Sequence, residues 1–327
     1  SSARYDAEAT AGILNIILRE NKLVGFNGNF QLDLGYPERF GGALNLNYKT
    51  KKWNFFTNTG FRYNNTPGNA LQDSKYLSST AQNARVIEKR NFDRLGRSLF
   101  TSFGAEYSLT ENSSVVGNIV LNTGNDDDVN SNTIDRFDSV GNINESTFRT
   151  ETEAEDEQRI QYTLDYINNF DGEGKKLTLN LQYSTEFEDI LNNITEIDTQ
   201  SNLLNDLEQV IEDQDEDRFL LQVDYVVPVG ENIQYEAGYR GNYRDIFNSF
   251  FLSERQVFPN GPLVPDAGLN NSFNYKEWVN AAYFQYGQKF NKISLLAGLR
   301  FEHTNIEIEQ QTSSTVDKRE YSNFFPT

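Results

Sequence analysis

Residues 24–34 read Val-Gly-Phe-Asn-Gly-Asn-Phe-Gln-Leu-Asp-Leu, so that apolar and polar side chains alternate along the stretch. Phe26 and Leu32 have one parity, whereas Asn27 and Asn29 have the other. A period of two is typical of a β-strand with one apolar and one polar face. The stretch therefore predicts a strand that separates an apolar environment from an aqueous one.

The same alternation returns along the rest of the chain. It predicts ten further strands, and a twelfth strand begins near Lys318. These ten lie at about 40–48, 53–63, 98–107, 115–121, 160–166, 177–184, 219–227, 233–240, 273–290 and 293–302. The parity of residues 273–290 is ambiguous. The chain is therefore predicted to be all-β.

After the second of these strands, short and long connections alternate. Tight turns are predicted at 49–52, 110–113, 171–174, 230–232 and 291–292. Long polar loops are predicted at 64–94, 125–156, 189–217 and 256–272. Outer-membrane β-barrels have short periplasmic turns and long extracellular loops, whereas the turns of a soluble sandwich need not sort by length. We therefore expect a transmembrane antiparallel barrel whose long loops are extracellular and the most mobile parts.

Aromatic residues cluster beside the short turns, as an interfacial girdle would require. They are Tyr48, Trp53, Tyr107, Tyr166 and Phe170. The sequence has no apolar run of ~18 residues that could form a transmembrane helix. Its mean hydropathy of -0.65 still fits a barrel, because lipid-facing and lumen-facing residues alternate.

The composition excludes several classes of function. A net charge of -19 argues against nucleic acid as a partner. The 327 residues include no Cys and one His, which removes disulfides, thiol nucleophiles and His-rich metal sites from consideration. That His303 is predicted to be a strand residue near a barrel rim.

Carboxylates are abundant, and a pair of them could in principle support hydrolytic chemistry. Glu151, Glu153, Glu155 and Glu157 could supply an acid–base pair, but we interpret them as a solvated charge run in a loop or at the start of a strand. Residues 126–130 could hold Ca²⁺ but lack the Gly and distal Glu of an EF-hand loop. We therefore predict a protein that is not an enzyme, with no catalytic, metal-binding or cofactor-binding residue and no cofactor.

Polar residues on the predicted inner face are better candidates for function. They are Asn27, Asn29, Gln31, Asn45, Asn47, Asn54, Asn58 and Arg62. The sequence leaves open whether they bind another part of the protein or only hydrate the wall.

The first residues resemble a known family. Ala3-Arg4-Tyr5-Asp6 and Ala11-Gly12-Ile13-Leu14-Asn15-Ile16 are similar to the end of the plug domain in TonB-dependent outer-membrane receptors. One departure is Ala9, where the family often has Gly. Residues 297–302 and 321–326 are similar to the large-barrel receptors common in Bacteroidetes.

The resemblance implies a domain organisation. Residues 1–20 would be the C-terminal end of a plug domain, and residues 21–327 would be the N-terminal half of a barrel. Such receptors have about twenty-two strands. The eleven or twelve strands expected here would then be about half of that barrel and could not close alone.

The resemblance also implies a function. The protein would lie in the outer membrane of a Gram-negative bacterium and import a scarce ligand into the periplasm, of the siderophore, cobalamin, glycan or peptide class. Its partners would be outer-membrane lipid, the TonB complex through a more N-terminal part, and an extracellular lipoprotein or other outer-membrane subunits. The alternative is a non-transporting barrel subunit of an outer-membrane assembly.

Overall fold

A computed structural model describes residues 24–77, 83–170, 174–258 and 260–327. These residues form a single β-sheet of fourteen strands. The strands are β1 (Gly25–Gly35), β2 (Arg39–Lys49), β3 (Trp53–Asn65), β4 (Gly68–Lys75), β5 (Arg85–Ser108), β6 (Ser113–Phe137), β7 (Ile143–Asn169), β8 (Lys176–Asp198), β9 (Leu204–Val229), β10 (Ile233–Arg255), β11 (Leu263–Pro265), β12 (Asn271–Phe290), β13 (Ile293–Gln310) and β14 (Thr315–Pro326). Within these ranges there is no helix long and apolar enough to cross a membrane. The expected plug end, residues 1–20, lies outside the described residues.

The strands follow one another as an antiparallel meander. Twelve of them form the continuous path β1-β2-β3-β5-β6-β7-β8-β9-β10-β12-β13-β14, while β4 pairs with β5 and β11 pairs with β10. The sequence therefore predicts the number of strands on this path, and the two short side strands are additional. In the described part of the chain β1 pairs with β2 alone and β14 with β13 alone, so the sheet does not close on itself, as predicted.

This sheet is a single layer without an apolar core of its own. The buried apolar side chains of the described residues are those of Ile194, Ala281 and Tyr283. The accessible surface is 21276 Å², whereas a compact monomeric protein of this mass exposes roughly 14,000 Å². A β-sandwich would bury one face of each sheet against the other. The structure therefore contradicts a sandwich and leaves the apolar face available to a membrane.

The register confirms the two faces of the sheet that the sequence pattern predicts. Leu44 pairs with Phe30, and Asn45 pairs with Asn29. Directly paired residues of an antiparallel ladder lie on the same face. We call the face with Leu44 the outer face and the face with Asn45 the inner face. Phe26, Leu32 and Leu46 lie on the outer face, whereas Asn27 and Asn47 lie on the inner face.

The register also resolves the parity of β12. Trp278 pairs with Tyr243 and Phe284 pairs with Ala237, and these residues lie on the outer face. Tyr283 pairs with Gly238 and lies on the inner face. The two neighbouring aromatic residues Tyr283 and Phe284 therefore point to opposite sides, which explains the ambiguous pattern.

The prediction of long polar loops is wrong for most of their length. β5 to β10 are strands of 23 to 27 residues, although a membrane crossing needs about 9 to 11. Only residues 138–142 connect β6 to β7, and only residues 199–203 connect β8 to β9. The segment 64–94 is mostly β4 and the start of β5, and segment 256–272 remains largely irregular around β11. Ladder hydrogen bonds to both neighbours keep the polar segments extended without an apolar face.

Aspartate side chains close two of these tight connections. Asp138 accepts hydrogen bonds from the backbone N–H groups of Val140, at 2.9 Å, and Asn142, at 2.8 Å. Asp198 accepts from the N–H groups of Gln200, at 2.9 Å, and Ser201, at 2.6 Å. An Asp that bonds the backbone two to four residues ahead stabilises a turn. These bonds let long hairpins end in five-residue turns.

Candidate functional site: the inner face of the sheet

At the level of the short turns, the inner face carries a ladder of asparagines. Asn45 Nδ2 donates to Asn29 Oδ1 at 2.8 Å, and Asn47 Nδ2 donates to Asn54 Oδ1 at 2.7 Å. Asn58 pairs with Asn45 and faces the same way. The register also places the predicted inner-face residues Asn27, Gln31 and Arg62 on this face of the sheet. The sequence therefore identifies this part of the site correctly.

A buried polar cluster lies further along the inner face. The Tyr283 hydroxyl donates to Asp224 Oδ1 across the intervening strand β10, where Gly238 has no side chain to block it. The exposed fraction is 6% for Tyr283, 3% for Asp224 and 2% for Arg300, which pairs with Glu302. Burial of charged and phenolic groups requires such partners. The sequence misses this cluster because its members come from four different strands.

Beyond the apolar level of the sheet, the inner face becomes strongly acidic. Asp126 pairs with Glu155, Asp128 with Glu153, and Glu157 with Glu188. We call this group the acidic wall; it consists of Asp126, Asp128, Glu151, Glu153, Glu155, Glu157, Glu186 and Glu188. The interpretation of residues 151–157 as a solvated loop is therefore wrong. They lie within β7. Their glutamate side chains, at every second position, point to the same face as carboxylates of the neighbouring strands β6 and β8.

Several carboxyl groups of the acidic wall hold their protons more tightly than isolated carboxyl groups do. Burial, followed by a hydrogen bond and charge repulsion from Glu188, raises the pKa of Glu155 to about 7. Burial together with neighbouring carboxylates also raises the pKa of Asp126, Glu153 and Glu157. Loss of hydration and like charges both disfavour the ionised form. The wall is therefore a negative surface in which Glu155 is partly protonated at neutral pH.

Few cationic groups compensate the wall. Arg94 Nε lies 3.4 Å from Asp128, and Arg159 Nε lies 3.7 Å from Glu186. Asn192 Nδ2 donates to Glu151 at 3.0 Å and Glu153 at 3.2 Å. The described residues contain no group of three metal-ligating side chains with geometry for an ion. The wall can attract cationic or hydrogen-bond-donating groups and repel anions.

The acidic stretch 126–130, which the sequence places in a long loop that could hold Ca²⁺, is part of a strand. It lies in the middle of β6, where consecutive side chains point to opposite faces. Asp127 accordingly lies on the outer face and forms an ion pair with Arg97, while Asp126 and Asp128 lie on the inner face. Three consecutive carboxylates therefore cannot converge on one cation here. His303 lies in β13 as predicted, with Nδ1 3.0 Å from Ser322 Oγ.

The outer face has an apolar belt between two rows of aromatic side chains. The row beside the short turns is the aromatic girdle that the sequence predicts. Two of its members, Trp53 and Tyr107, have ring centroids 4.6 Å apart. The second row runs across five strands at the other edge of the belt and comprises Tyr162, Tyr183, Phe219, Tyr243 and Trp278. Two rows that bound an apolar band are the pattern expected at both membrane interfaces. The sequence misses the second row because its alignment depends on the register.

The spacing of the rows is close to the height of the apolar band of an outer-membrane barrel. On β12, Trp278 belongs to the second row and Tyr286 stacks obliquely with Tyr235 near the short turn, with ring centroids 5.3 Å apart. Eight residues of strand between them span roughly 26 Å along the strand, or about 20 Å along the membrane normal for a tilted strand. An outer-membrane barrel has an apolar band of about 25 Å. The strands continue well beyond this band on the side of the second row.

Comparison with known proteins agrees with this geometry. Residues 168–327, just under half of the chain, match the model of the outer membrane protein beta-barrel family. This chain is an outer-membrane β-barrel protein. No curated protein and no solved structure matches the chain.

The match identifies the environment of each face of the sheet. The matched part runs from the end of β7 through β14, and β1 to β6 continue the same sheet and the same two faces. The protein lies in the outer membrane of Gram-negative bacteria. Its outer face contacts lipid along the apolar belt, and its inner face lines the lumen. The asparagine ladder lies within the membrane, and the acidic wall lies beyond it.

Proposed function

We propose that this outer-membrane barrel protein is the barrel part of a TonB-dependent receptor that imports a ligand into the periplasm. The observation that carries the proposal is the inner face. Paired asparagine amides line it within the membrane, and a lumen filled by water or by a polar plug requires such groups. The resemblance of residues 3–16 to the end of a plug domain supports the same proposal.

The acidic wall indicates which ligands would be favoured. A cleft lined with charges of one sign raises the local concentration of ligands of the opposite sign. Carboxylates such as Glu153 and Glu155 would repel an anionic ligand and attract a cationic one. Among siderophores, cobalamins, glycans and peptides, we therefore expect neutral or cationic members to enter.

A non-transporting subunit of an outer-membrane assembly is the second candidate. Strands of 23 to 27 residues favour it, because they extend far beyond the membrane and offer a protein-binding wall. A transporter of this kind moves a ligand with an input of energy, whereas an assembly subunit moves no ligand.

Uptake by intact cells separates the two candidates. Cells that produce the full-length protein and a matched deletion strain would receive four labelled probes: a ferric siderophore, cobalamin, an oligosaccharide and an oligopeptide. We expect one probe to accumulate only in producing cells. An uncoupler that dissipates the proton-motive force should abolish accumulation but leave surface binding. Accumulation that survives uncoupling would indicate a diffusion pore, and equal uptake of all four probes by both strains would favour the assembly subunit.

A further inference from the structure

The outer face carries a second apolar surface beyond the membrane belt. Ala154 of β7 pairs with Leu191 of β8, Leu191 pairs with Ile211 of β9, and Ile211 pairs with Phe251 of β10. We call these four residues the extracellular apolar row. The exposed fraction is 39% for Leu191 and 43% for Phe251. Contiguous apolar side chains that remain at least partly exposed on a mostly polar surface indicate an interaction site.

Membrane lipid does not reach this row. Leu191 lies eight residues beyond Tyr183, which marks the edge of the apolar belt on β8. That separation is roughly 26 Å along the strand, or about 20 Å along the membrane normal for a tilted strand. Acyl chains end at the level of the interfacial aromatic rings. The extracellular apolar row therefore needs a cover other than the hydrocarbon of the bilayer.

An uncompensated acidic row borders the apolar row on its membrane side. Asp156 pairs with Asp189 and Asp189 with Asp213, and Asp215 lies two residues from Asp213 on the same face. Asp213 accepts a 3.0 Å hydrogen bond from Ser249 Oγ. In the part of the sheet that the structure describes, these four carboxylates have no Lys or Arg partner in ion-pair contact. Burial and the charges of Asp213, Asp215 and Asp156 raise the pKa of Asp189.

We propose that the extracellular apolar row and its acidic border form the docking surface for a separate protein, whose contact face carries apolar side chains beside lysine or arginine. The apolar row would be buried against the apolar side chains, and the bordering aspartates would pair with the cations. Complementary charge of this kind directs association and excludes wrong partners. The proposal does not depend on transport and holds for either candidate function.

Two other occupants are less favourable on electrostatic grounds. A second copy bound through the same face would bring the row of Asp156, Asp189 and Asp213 towards its equivalent, and each chain has a net charge of -19. The phosphate groups of lipid headgroups are also anionic and would be repelled by the same aspartates. A basic protein surface satisfies both the charge and the apolar area.

Photo-crosslinking on intact cells tests the proposal. A benzophenone amino acid would replace Leu191 in the full-length protein, and a matched control would place it at Asn192, the next residue, which faces the lumen at the same height. We expect position 191 to give one adduct with a different polypeptide and position 192 not to give it. The crosslinked peptide of the partner, identified by mass spectrometry, should contain Lys or Arg beside apolar residues.

Charge variants complete the test. Asp189→Asn with Asp213→Asn should lower the yield of the adduct about tenfold, as expected for the loss of two charge contacts. Asp93→Asn, on the outer face of β5 away from the row, should leave the yield unchanged. Heat-modifiable migration on gels verifies that each variant is folded. An adduct with lipid, an adduct with another copy of the chain, no adduct, or an adduct insensitive to the aspartates would each overturn the proposal.

Discussion

The Tyr183 hydroxyl donates a 2.8 Å hydrogen bond to Asp217 Oδ1 on the neighbouring strand, at the level where the outer face changes from apolar to acidic. Tyr243 makes a similar bond of 2.8 Å to Asp245. A tyrosine at a membrane interface places its ring in the apolar region and its hydroxyl in the polar region. These two bonds therefore mark the edge of the apolar belt on the side away from the short turns.

The first prediction concerns the two faces of β2. Leu44→Arg places a cation on the lipid-facing side near the middle of the belt and should lower the free energy of unfolding by about 2–4 kcal/mol. Asn45→Arg, one residue further, places the same cation in the lumen and should cost much less. Denaturant titration in liposomes measures both values. Equal destabilisation by the two variants would contradict the assignment of the faces.

The second prediction concerns Gly238. A Cβ at this position would lie 2.4 Å from Cε1 of Tyr283 and 2.7 Å from Oδ1 of Asp224. Gly238→Ala should therefore displace the Tyr283 ring, break its hydrogen bond to Asp224 and cost about 1–3 kcal/mol. Gly117→Ala is the matched control, since nothing lies within 4 Å of its added Cβ. An unchanged unfolding midpoint for Gly238→Ala would show that the cluster does not stabilise the sheet.

The third prediction concerns pH and Glu155. Its folded-state pKa of about 7 exceeds the ordinary value of 4.5, so the folded protein keeps a proton that the unfolded chain releases between these values. The contribution of this group to stability is therefore fully present below pH 4.5 and is lost as the pH rises through about 7.

Glu155→Gln removes this dependence. The variant should match the wild type near pH 4.5 and be more stable at higher pH. Solvent screening limits the gain to the order of 1 kcal/mol at about pH 8. Glu111→Gln, in the short turn at the opposite end of the sheet, controls for the loss of one carboxylate. Parallel stability profiles for wild type and Glu155→Gln would contradict the proton assignment.

The fourth prediction concerns the turn after β8. Hydrogen bonds from the backbone and side chain of Ser201 lower the pKa of Asp198, and the N–H of Gln200 adds to the effect. The ionised Asp198 carboxylate therefore stabilises the turn fully at pH values above its ordinary pKa. This stabilisation is lost as the pH falls through the lowered pKa. Asp198→Ala should speed amide exchange of residues 200–201. Exchange at residues 140–142, in the turn closed by Asp138, serves as the control and should stay slow.

The sequence predicts the fold best within the membrane. Lipid on one side and water on the other impose strict alternation there, so the parities of Leu44 and Asn45 follow from the pattern alone. Beyond the membrane, water contacts both faces and the alternation disappears. That loss is why the strand segments around Glu153 and Asp213 resemble loops in the sequence.

The candidate site depends on register, which local patterns do not contain. Asp126 and Glu155 are distant in sequence and meet only because β6 and β7 pair with one offset. In the sequence, Tyr283 interrupts the alternation of apolar and polar residues. Its hydrogen bond to Asp224 on the inner face accounts for its position. The asparagine ladder could be predicted, whereas the acidic wall and the second aromatic row could not.

One face of this sheet contacts lipid, and the other lines an aqueous lumen. Because the sequence contains no Cys, a single cysteine gives an unambiguous label. Fluorophores attached to Leu181→Cys and Gln182→Cys, adjacent on β8, would be compared in liposomes. We expect brominated lipid to quench the label at 181 and aqueous iodide to quench the label at 182. Equal quenching of both positions by either agent would contradict the claim.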